Sequence, residues 1–182
     1  MVTVLGILLV AAVATAGDYL WYTLGVRHSV TNGVIHGAVL LTAVGGVLGA
    51  AAGRLLKGLP IGTLAGIGGA IAYYAIVATV GGRTYGAAIP AAWVILWLLL
   101  AMFDGRWLRA PAVRPWSEVA LRGALAAVVG GVAFALVMQT LWGRAPAGGR
   151  NYAIQFAAWA FAWTPGILIL TAARWRPGAG AR

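Results

Sequence analysis

Long apolar runs fill most of this 182-residue chain and constrain its fold more than any other feature. A run of about 20 apolar residues is long enough to cross the hydrocarbon core of a bilayer as a helix. Six such runs follow one another, at 4–24, 34–53, 61–80, 88–103, 119–142 and 152–173. The sequence therefore predicts an all-α, polytopic membrane protein, a bundle of six transmembrane helices in one domain over 1–176, with a flexible tail at 177–182.

The composition agrees with this interpretation. Hydrophobic residues make up 62% of the chain and charged residues only 9%, whereas a soluble domain has about 25% charged residues. In lipid every backbone polar group has to be bonded within the protein, and the runs lack the alternation of a β-strand, so helices are expected. The basic residues behind the net charge of +10 are spread between the runs, which is typical of membrane topology and not of nucleic-acid binding.

The distribution of Lys and Arg predicts an orientation. With six spans, both chain ends lie on one side of the membrane. That side carries nine basic residues: Arg54, Lys57, Arg106, Arg109, Arg114, Arg122, Arg174, Arg176 and Arg182. The other side carries four: Arg27, Arg83, Arg144 and Arg150. Cytoplasmic segments are enriched in Lys and Arg, so both termini are expected in the cytoplasm. The Ala-, Gly- and Arg-rich composition suggests a bacterial inner membrane.

Prolines and small residues add expectations about single helices. Pro60 is expected in the first turn of the third helix, where it removes no internal hydrogen bond. Small residues recur at every fourth position on three helices, at Gly45, Gly49 and Gly53, at Gly62, Gly66 and Ala70, and at Gly123, Ala127 and Gly131. Such faces predict close helix packing within the bundle, and a homo-oligomer contact through them is the alternative.

Side chains for catalysis or metal binding are scarce. The chain has no cysteine, and its acids and histidines are Asp18, Asp104, Glu118, His28 and His36. It contains no known nucleophile, phosphate-loop or metal-ligand pattern and no cluster of paired carboxylates. We therefore expect a protein that is not an enzyme and that has neither a metal site nor a cofactor.

Asp18 is the most informative of these residues, since a carboxylate inside a transmembrane helix is costly and indicates function by default. His36 lies near the start of the second helix, at the same surface. Polar and aromatic residues of other helices complete a predicted lipid or amphiphile site: Tyr73, Tyr74, Trp93, Trp97, Gln139, Gln155, Trp159 and Trp163. The alternatives for Asp18 are a structural pairing with His36 or a tyrosine, and a role in moving a proton or an ion.

The segment after the fourth run contains Asp104 and the loop 106–118, which is rich in Arg and Trp. We expect Asp104 to form a surface ion pair with Arg106 or Arg109 that contributes about 0–1 kcal/mol. A basic partner is expected because a carboxylate at a helix C-terminus opposes the helix dipole. The loop itself is expected to lie on anionic lipid at the membrane interface.

In this overall architecture the chain resembles the Insig family, whose members are small six-helix membrane proteins with both termini in the cytoplasm. The resemblance rests on Leu96-Trp97 followed by Phe103-Asp104-Gly105-Arg106, where the family has Phe-Asp-Arg without the intervening glycine. In the last helix it rests on Tyr152, Trp159, Pro165-Gly166-Ile167 and Arg174.

This resemblance implies a binding protein, since eukaryotic members sense oxysterols and retain partner membrane proteins, and prokaryotic relatives look like lipid binders. We expect the chain to bind a membrane lipid, a diacylglycerol- or sterol-like amphiphile, in an intramembrane cavity as a lipid sensor or regulator. The resemblance also implies that Asp104 binds a partner protein. The alternative expectation is a small transporter or channel-like protein with a polar path through Asp18 and His36.

Overall fold

A computed structural model describes residues 1–25, 29–80, 85–140 and 151–172, apart from the side chains of 80, 85–87, 138 and 139. In these residues, six helices are long and apolar enough to cross a membrane and no strand is present. They are α1 (Val2–Thr23), α2 (Val30–Ala51), α3 (Leu55–Val80), α4 (Tyr85–Phe103), α5 (Trp116–Thr140) and α6 (Tyr152–Thr171). The predicted all-α, six-helix fold of an integral membrane protein is confirmed.

The six helices form a closed ring in which consecutive helices run in opposite directions. Each helix packs on the next one in the chain, α6 packs back on α1, and α2 also touches α6 across the ring. The ring has two end faces. We call one the arginine face, which holds the turn 52–54, the segment 104–115 and the end of α6, and the other the far face, where α1, α3 and α5 end.

The closest approach in the ring is between α2 and α3. Gly45 and Gly49 lie against backbone atoms of Gly58 and Gly62, and a methyl group at any of these four positions would overlap with the opposing backbone. Helices approach so closely only where neither carries a side chain. The small-residue faces of the second and third helices are therefore used within the chain, while a homo-oligomer contact stays a prediction.

Gly53 does not belong to the α2 face, although it continues the spacing of every fourth residue. It lies beyond the end of α2 with a φ of +70°, and no other atom lies within 4 Å of where its Cβ would be. A backbone with this φ favours glycine because it has no side chain to clash. Gly53 therefore allows the turn into α3 and makes no contact with another helix.

The expectation that Pro60 begins the third helix is wrong, because α3 begins six residues earlier than predicted, at Leu55. The amide nitrogens of Lys57 and Gly58 donate to the carbonyl oxygen of Arg54, so the first turn forms ahead of the proline. Pro60 then removes one internal hydrogen bond of the helix. The contact of Gly58 with α2 offsets this loss. This contact depends on a second helix, so the sequence of α3 alone could not predict it.

The start of α2 also lies earlier than predicted, at Val30 and not at residue 34. The Oγ atom of Ser29 accepts a hydrogen bond from the backbone nitrogen of Asn32 at 3.2 Å, which is a normal helix cap. The polar cap, and not the first apolar residue, sets this boundary. The predicted tail at 177–182 and the last residues of the fifth and sixth predicted helices, 141–142 and 173, lie outside the described residues.

Candidate functional site

A cavity of about 250 Å³ lies inside the ring, in the half nearer the far face. Five helices, α2 to α6, contribute to its wall. Aliphatic and small residues form half of this wall, and four apolar aromatic side chains and two polar ones form the other half: Trp93, Phe134, Trp159, Trp163, His36 and Tyr73. Among the described residues, no Lys, Arg, Asp or Glu lines it, so the cavity suits an uncharged, mainly apolar molecule.

The structure brings five of the predicted site residues to this cavity. They come from four helices and are far apart in the sequence: His36, Tyr73, Trp93, Trp159 and Trp163. Phe134 of α5 also lines it and was missed, because a single Phe in an apolar helix has no pattern that marks its direction. Gln139 cannot be placed, since its side chain lies outside the described residues.

Asp18 lies behind the cavity wall. Its Oδ2 atom accepts hydrogen bonds from Nε2 of Gln155 at 2.5 Å and from Nε1 of Trp159 at 2.7 Å. The expected pairing of Asp18 with His36 or a tyrosine is wrong, because its partners are Gln155 and Trp159. These two donors lie one turn apart on α6 and both reach the carboxylate. The bonds join α1 to α6, and Trp159 extends from them into the cavity wall.

His36 is the polar residue with free hydrogen-bonding capacity at the cavity. Its ring packs edge-to-face on Trp21 at 5.4 Å, and a Cβ at Gly17 of α1 would lie 2.8 Å from its Cε1 atom. Within the described part of the chain, no hydrogen bond reaches its ring nitrogens. The same ring also lines a second groove of about 280 Å³ between α1 and α2.

Two other predicted site residues do not line the cavity. The hydroxyl of Tyr74 donates to the carbonyl oxygen of Ser29 at 2.9 Å and ties α3 to the start of α2. Trp97 is fully buried beside Trp93 and Trp163, at ring-centroid distances of 5.9 and 5.6 Å. These residues support the wall and leave ligand contact to their neighbours.

Trp97 is wedged between two glycines of neighbouring helices. Its six-membered ring lies against Gly166 of α6 so closely that any Cβ there would overlap with it. Its Nε1 atom faces Gly130 of α5, where a Cβ would lie 3.2 Å away. The indole therefore spans the ring of helices just below the cavity and fixes the spacing of α4, α5 and α6.

Asp104, at the arginine face, is fully buried, so the expectation of an exposed surface pair is wrong. Its Oδ2 atom lies 3.0 Å from Nε of Arg109 and 3.2 Å from Nη1 of Arg114. A π-helical turn, Asp104–Leu108, continues α4, and the backbone nitrogen of Arg114 bonds back to the carbonyl oxygen of Gly105 at 2.9 Å. This fold of the 104–115 segment carries Arg114 under the ring, where water is excluded.

The arginines of this cluster cap the end of α6. Nη1 of Arg122 donates to the carbonyl oxygens of Ile169 and Ala172, at 2.7 and 2.9 Å, and Arg114 donates to that of Leu170 at 3.4 Å. Cations are favourable at the negative end of a helix dipole. Burial lowers the pKa of Arg114 to about 10, so its guanidinium still carries a charge at neutral pH.

The cluster therefore ties the connection between α4 and α5 to the last turn of α6. Glu118 completes it with ion pairs to Arg114 at 3.4 Å and to Arg122 at 2.9 Å. Arg106 forms no ion pair with Asp104; its Nη1 atom donates to the carbonyl oxygen of Arg114 at 3.0 Å, and its guanidinium carbon lies 4.6 Å from the ring centroid of Trp116. Because Asp104 has no exposed surface, a partner protein could touch it only after the cluster opens, and partner binding by Asp104 stays a prediction.

Comparison of the chain with protein-family models, with curated proteins and with solved structures finds no match. In the part of the chain that the structure describes, no three His, Asp or Glu side chains lie close enough together to hold a metal ion. The chemistry of the cavity and of the two end faces is therefore the basis for a functional interpretation.

Proposed function

We propose that this chain is an integral membrane protein that binds a lipid, a diacylglycerol- or sterol-like amphiphile, in the cavity lined by the five helices α2 to α6. We further propose that it acts as a lipid sensor or regulator in the manner of the Insig family. The observation that carries the proposal is the uncharged, aromatic wall of a cavity inside a transmembrane ring, with the unbonded His36 imidazole as its polar element. Ligand cavities combine an apolar wall with a few polar groups that orient the ligand.

The size of the cavity limits what enters it. A closed apolar cavity of about 150 Å³ is large enough to hold benzene. The present cavity, at about 250 Å³, has room for one ring system or a stretch of acyl chain. A lipid would therefore place part of its apolar body between the helices, hydrogen-bond to His36, and leave the rest in a neighbouring groove or the bilayer.

The contacts of Asp18 favour lipid binding over transport. A polar conduction path needs side chains that face water along its length. Asp18 instead accepts two hydrogen bonds from α6, at 2.5 and 2.7 Å, and the cavity in front of it is lined mainly by apolar groups. A path through Asp18 and His36 would require Asp18 to leave Gln155 and Trp159.

The proposal is tested by native mass spectrometry of the protein after gentle extraction from its membrane. Ala92 lines the cavity, so Ala92→Phe places a ring in the ligand volume. Ala157 is exposed on α6 and lines neither the cavity nor the grooves, so Ala157→Phe adds the same group elsewhere.

We expect the wild type and Ala157→Phe to carry a bound lipid, and Ala92→Phe to weaken the lipid affinity about tenfold, which corresponds to about 1.4 kcal/mol, and so to lower the bound fraction. A wild-type protein that carries no lipid, or equal occupancy in all three proteins, would contradict the proposal.

The site also allows an orientation to be proposed. We place the arginine face in the cytoplasm of a bacterial inner membrane, because it holds Arg54, Lys57 and the cluster around Arg114. The cavity then lies in the half of the bilayer away from the cytoplasm.

A further inference from the structure

A groove of about 330 Å³ runs between α4 and α5 on the outside of the ring. On α5 its floor consists of small residues at every fourth position, Ala127, Gly131 and Ala135. Val128 and Val132 beside them are exposed, at 63% and 55% of their surface. Both helices are long and apolar enough to span the membrane, so bilayer hydrocarbon covers this groove.

The groove and the central cavity share two side chains. Trp93 of α4 and Phe134 of α5 line both spaces. Their rings are stacked, with centroids 5.0 Å apart and planes 25° from parallel. This stacked pair therefore lies between the central cavity and the bilayer-facing groove.

Trp93 is held by packing and not by a hydrogen bond. In the part of the chain that the structure describes, its indole Nε1 atom has no hydrogen-bond partner. On the groove side it faces Gly131, where a Cβ would lie at an ordinary contact distance of 3.7 Å from its Cδ1 atom. Displacement of Trp93 would therefore break no hydrogen bond, and α5 presents no side chain beside the ring at that point.

We propose that the α4–α5 groove binds the hydrocarbon chain of a bilayer lipid and is the portal to the central cavity, with the stacked Trp93–Phe134 pair as its gate. The inference rests on the proposed lipid-binding function and adds the route of entry. An uncharged chain fits because, among the described residues, no ionisable side chain lines the groove. Lipid then enters sideways from the bilayer and does not pass through either end face.

The groove between α1 and α2 is the competing route, since it shares His36 with the cavity. His36, however, is packed against Gly17, where even a methyl group would lie 2.8 Å from the imidazole Cε1. An alkyl chain that entered by this route would have to push the His36 ring against the backbone of Gly17. Passage beside Trp93 breaks no hydrogen bond, and the described residues of the groove carry no charge, so we assign the lower barrier to the α4–α5 route.

The portal is tested by the rate of lipid exchange. Wild-type protein in nanodiscs is mixed with vesicles that contain deuterated diacylglycerol, and native mass spectrometry follows bound deuterated lipid over time. Gly131→Leu places a branched side chain in the groove without touching the cavity wall on α2 or α6. Ala124→Leu, on an exposed part of the same helix outside the groove, is the matched control.

Gly131→Leu should slow both uptake and release about tenfold, since an obstacle in the route raises the barrier for both directions. Phe134→Ala should accelerate both, and Ala124→Leu should behave as the wild type. Normal occupancy with unchanged rates in Gly131→Leu and Phe134→Ala would overturn the portal alone. A wild type that never binds deuterated diacylglycerol would overturn the portal and the proposed function together.

Discussion

The indole Nε1 of Trp159 lies 2.7 Å from Oδ2 of Asp18, and the same tryptophan forms part of the cavity wall. The carboxylate on α1 thus holds a cavity residue on α6 in position, together with Gln155, which is buried and bonded to the same oxygen. Asp18 acts on the cavity through this contact, and its own side chain stays outside the lining.

Removal of the Asp18 carboxylate should therefore destabilise the fold. Asp18→Ala leaves two donors without an acceptor inside the membrane, and we expect the free energy of unfolding to fall by about 1–3 kcal/mol. Asp18→Asn keeps an acceptor oxygen and should lose less. Thermal unfolding of the purified variants in detergent measures this order.

Thr15→Ala is the matched control on α1, because among the described residues the Thr15 hydroxyl bonds to the carbonyl oxygen of Ala11 in its own helix and to no other helix. We expect a change within about 0.5 kcal/mol for it. Wild-type stability in Asp18→Ala would show that the link between α1 and α6 has no energetic role.

The partners of Asp18 illustrate what the sequence could and could not predict. Its position within an apolar run marked it as an intramembrane carboxylate, and Gln155 and Trp159 were both predicted to belong to the same site. The pairing itself joins positions 137 residues apart in the chain. It depends on α6 closing the ring against α1, which no local pattern encodes.

The arginine face shows the opposite outcome. A loop with several arginines and two tryptophans predicted an interfacial segment, and Trp107 and Trp116 are indeed exposed, yet Arg114 has only 1% of its surface exposed. Carbonyl oxygens at the end of α6 and the carboxylate of Asp104 make this burial favourable. These partners come from distant segments, so side-chain type alone gave the wrong environment. The glycine spacing on α2 and α3, by contrast, predicted their close packing because backbone approach depends only on the absence of side chains.

A second prediction concerns the wedge formed by Trp97. Gly166→Ala places a methyl group inside the volume of the fully buried indole, so α4 and α6 have to separate. Overpacking of this kind costs about 1–3 kcal/mol. The loss should appear as a lower unfolding temperature in detergent.

Gly131→Ala is the matched control, since its Cβ would meet Trp93 at an ordinary 3.7 Å. The gain in helix propensity over glycine, about 1 kcal/mol at most, makes a neutral or slightly stabilising effect the expected result. Equal behaviour of the two alanine variants would contradict the wedge.

A third prediction concerns the buried ion pairs at the arginine face. Arg114→Met removes one of two cations from the fully buried Asp104 and a donor from the end of α6. Arg109 still pairs with Asp104 in this variant, so we expect a loss smaller than the roughly 3–5 kcal/mol that follows when a buried charge loses its whole partner. Lys57→Met, which removes an exposed cation outside the cluster, should change stability by less than about 0.5 kcal/mol. Unfolding by denaturing detergent measures both.

The same variant carries a pH prediction. Burial lowers the folded pKa of Arg114 to about 10, below the ordinary value of an arginine. The folded and the unfolded pKa both lie above pH 9, so Arg114 binds its proton in the folded and unfolded states between about pH 6 and pH 9. Titration of this group therefore adds no pH dependence in that window, and the stability difference between wild type and Arg114→Met should be constant. A difference that changes steadily from pH 6 to pH 9 would contradict the assignment.

A fourth prediction is the orientation of the ring in the membrane. The chain has no cysteine, so single cysteines report their own position when a membrane-impermeant maleimide is added to intact bacterial cells that express the protein. Ala112→Cys, at the arginine face, should be labelled only after the membrane is opened, and Ala153→Cys, at the far face, should be labelled at once. Neither change alters a charge, so the Lys and Arg distribution that sets the orientation is preserved. Immediate labelling of Ala112→Cys with protection of Ala153→Cys would reverse the proposed orientation and place the lipid cavity in the cytoplasmic half of the bilayer.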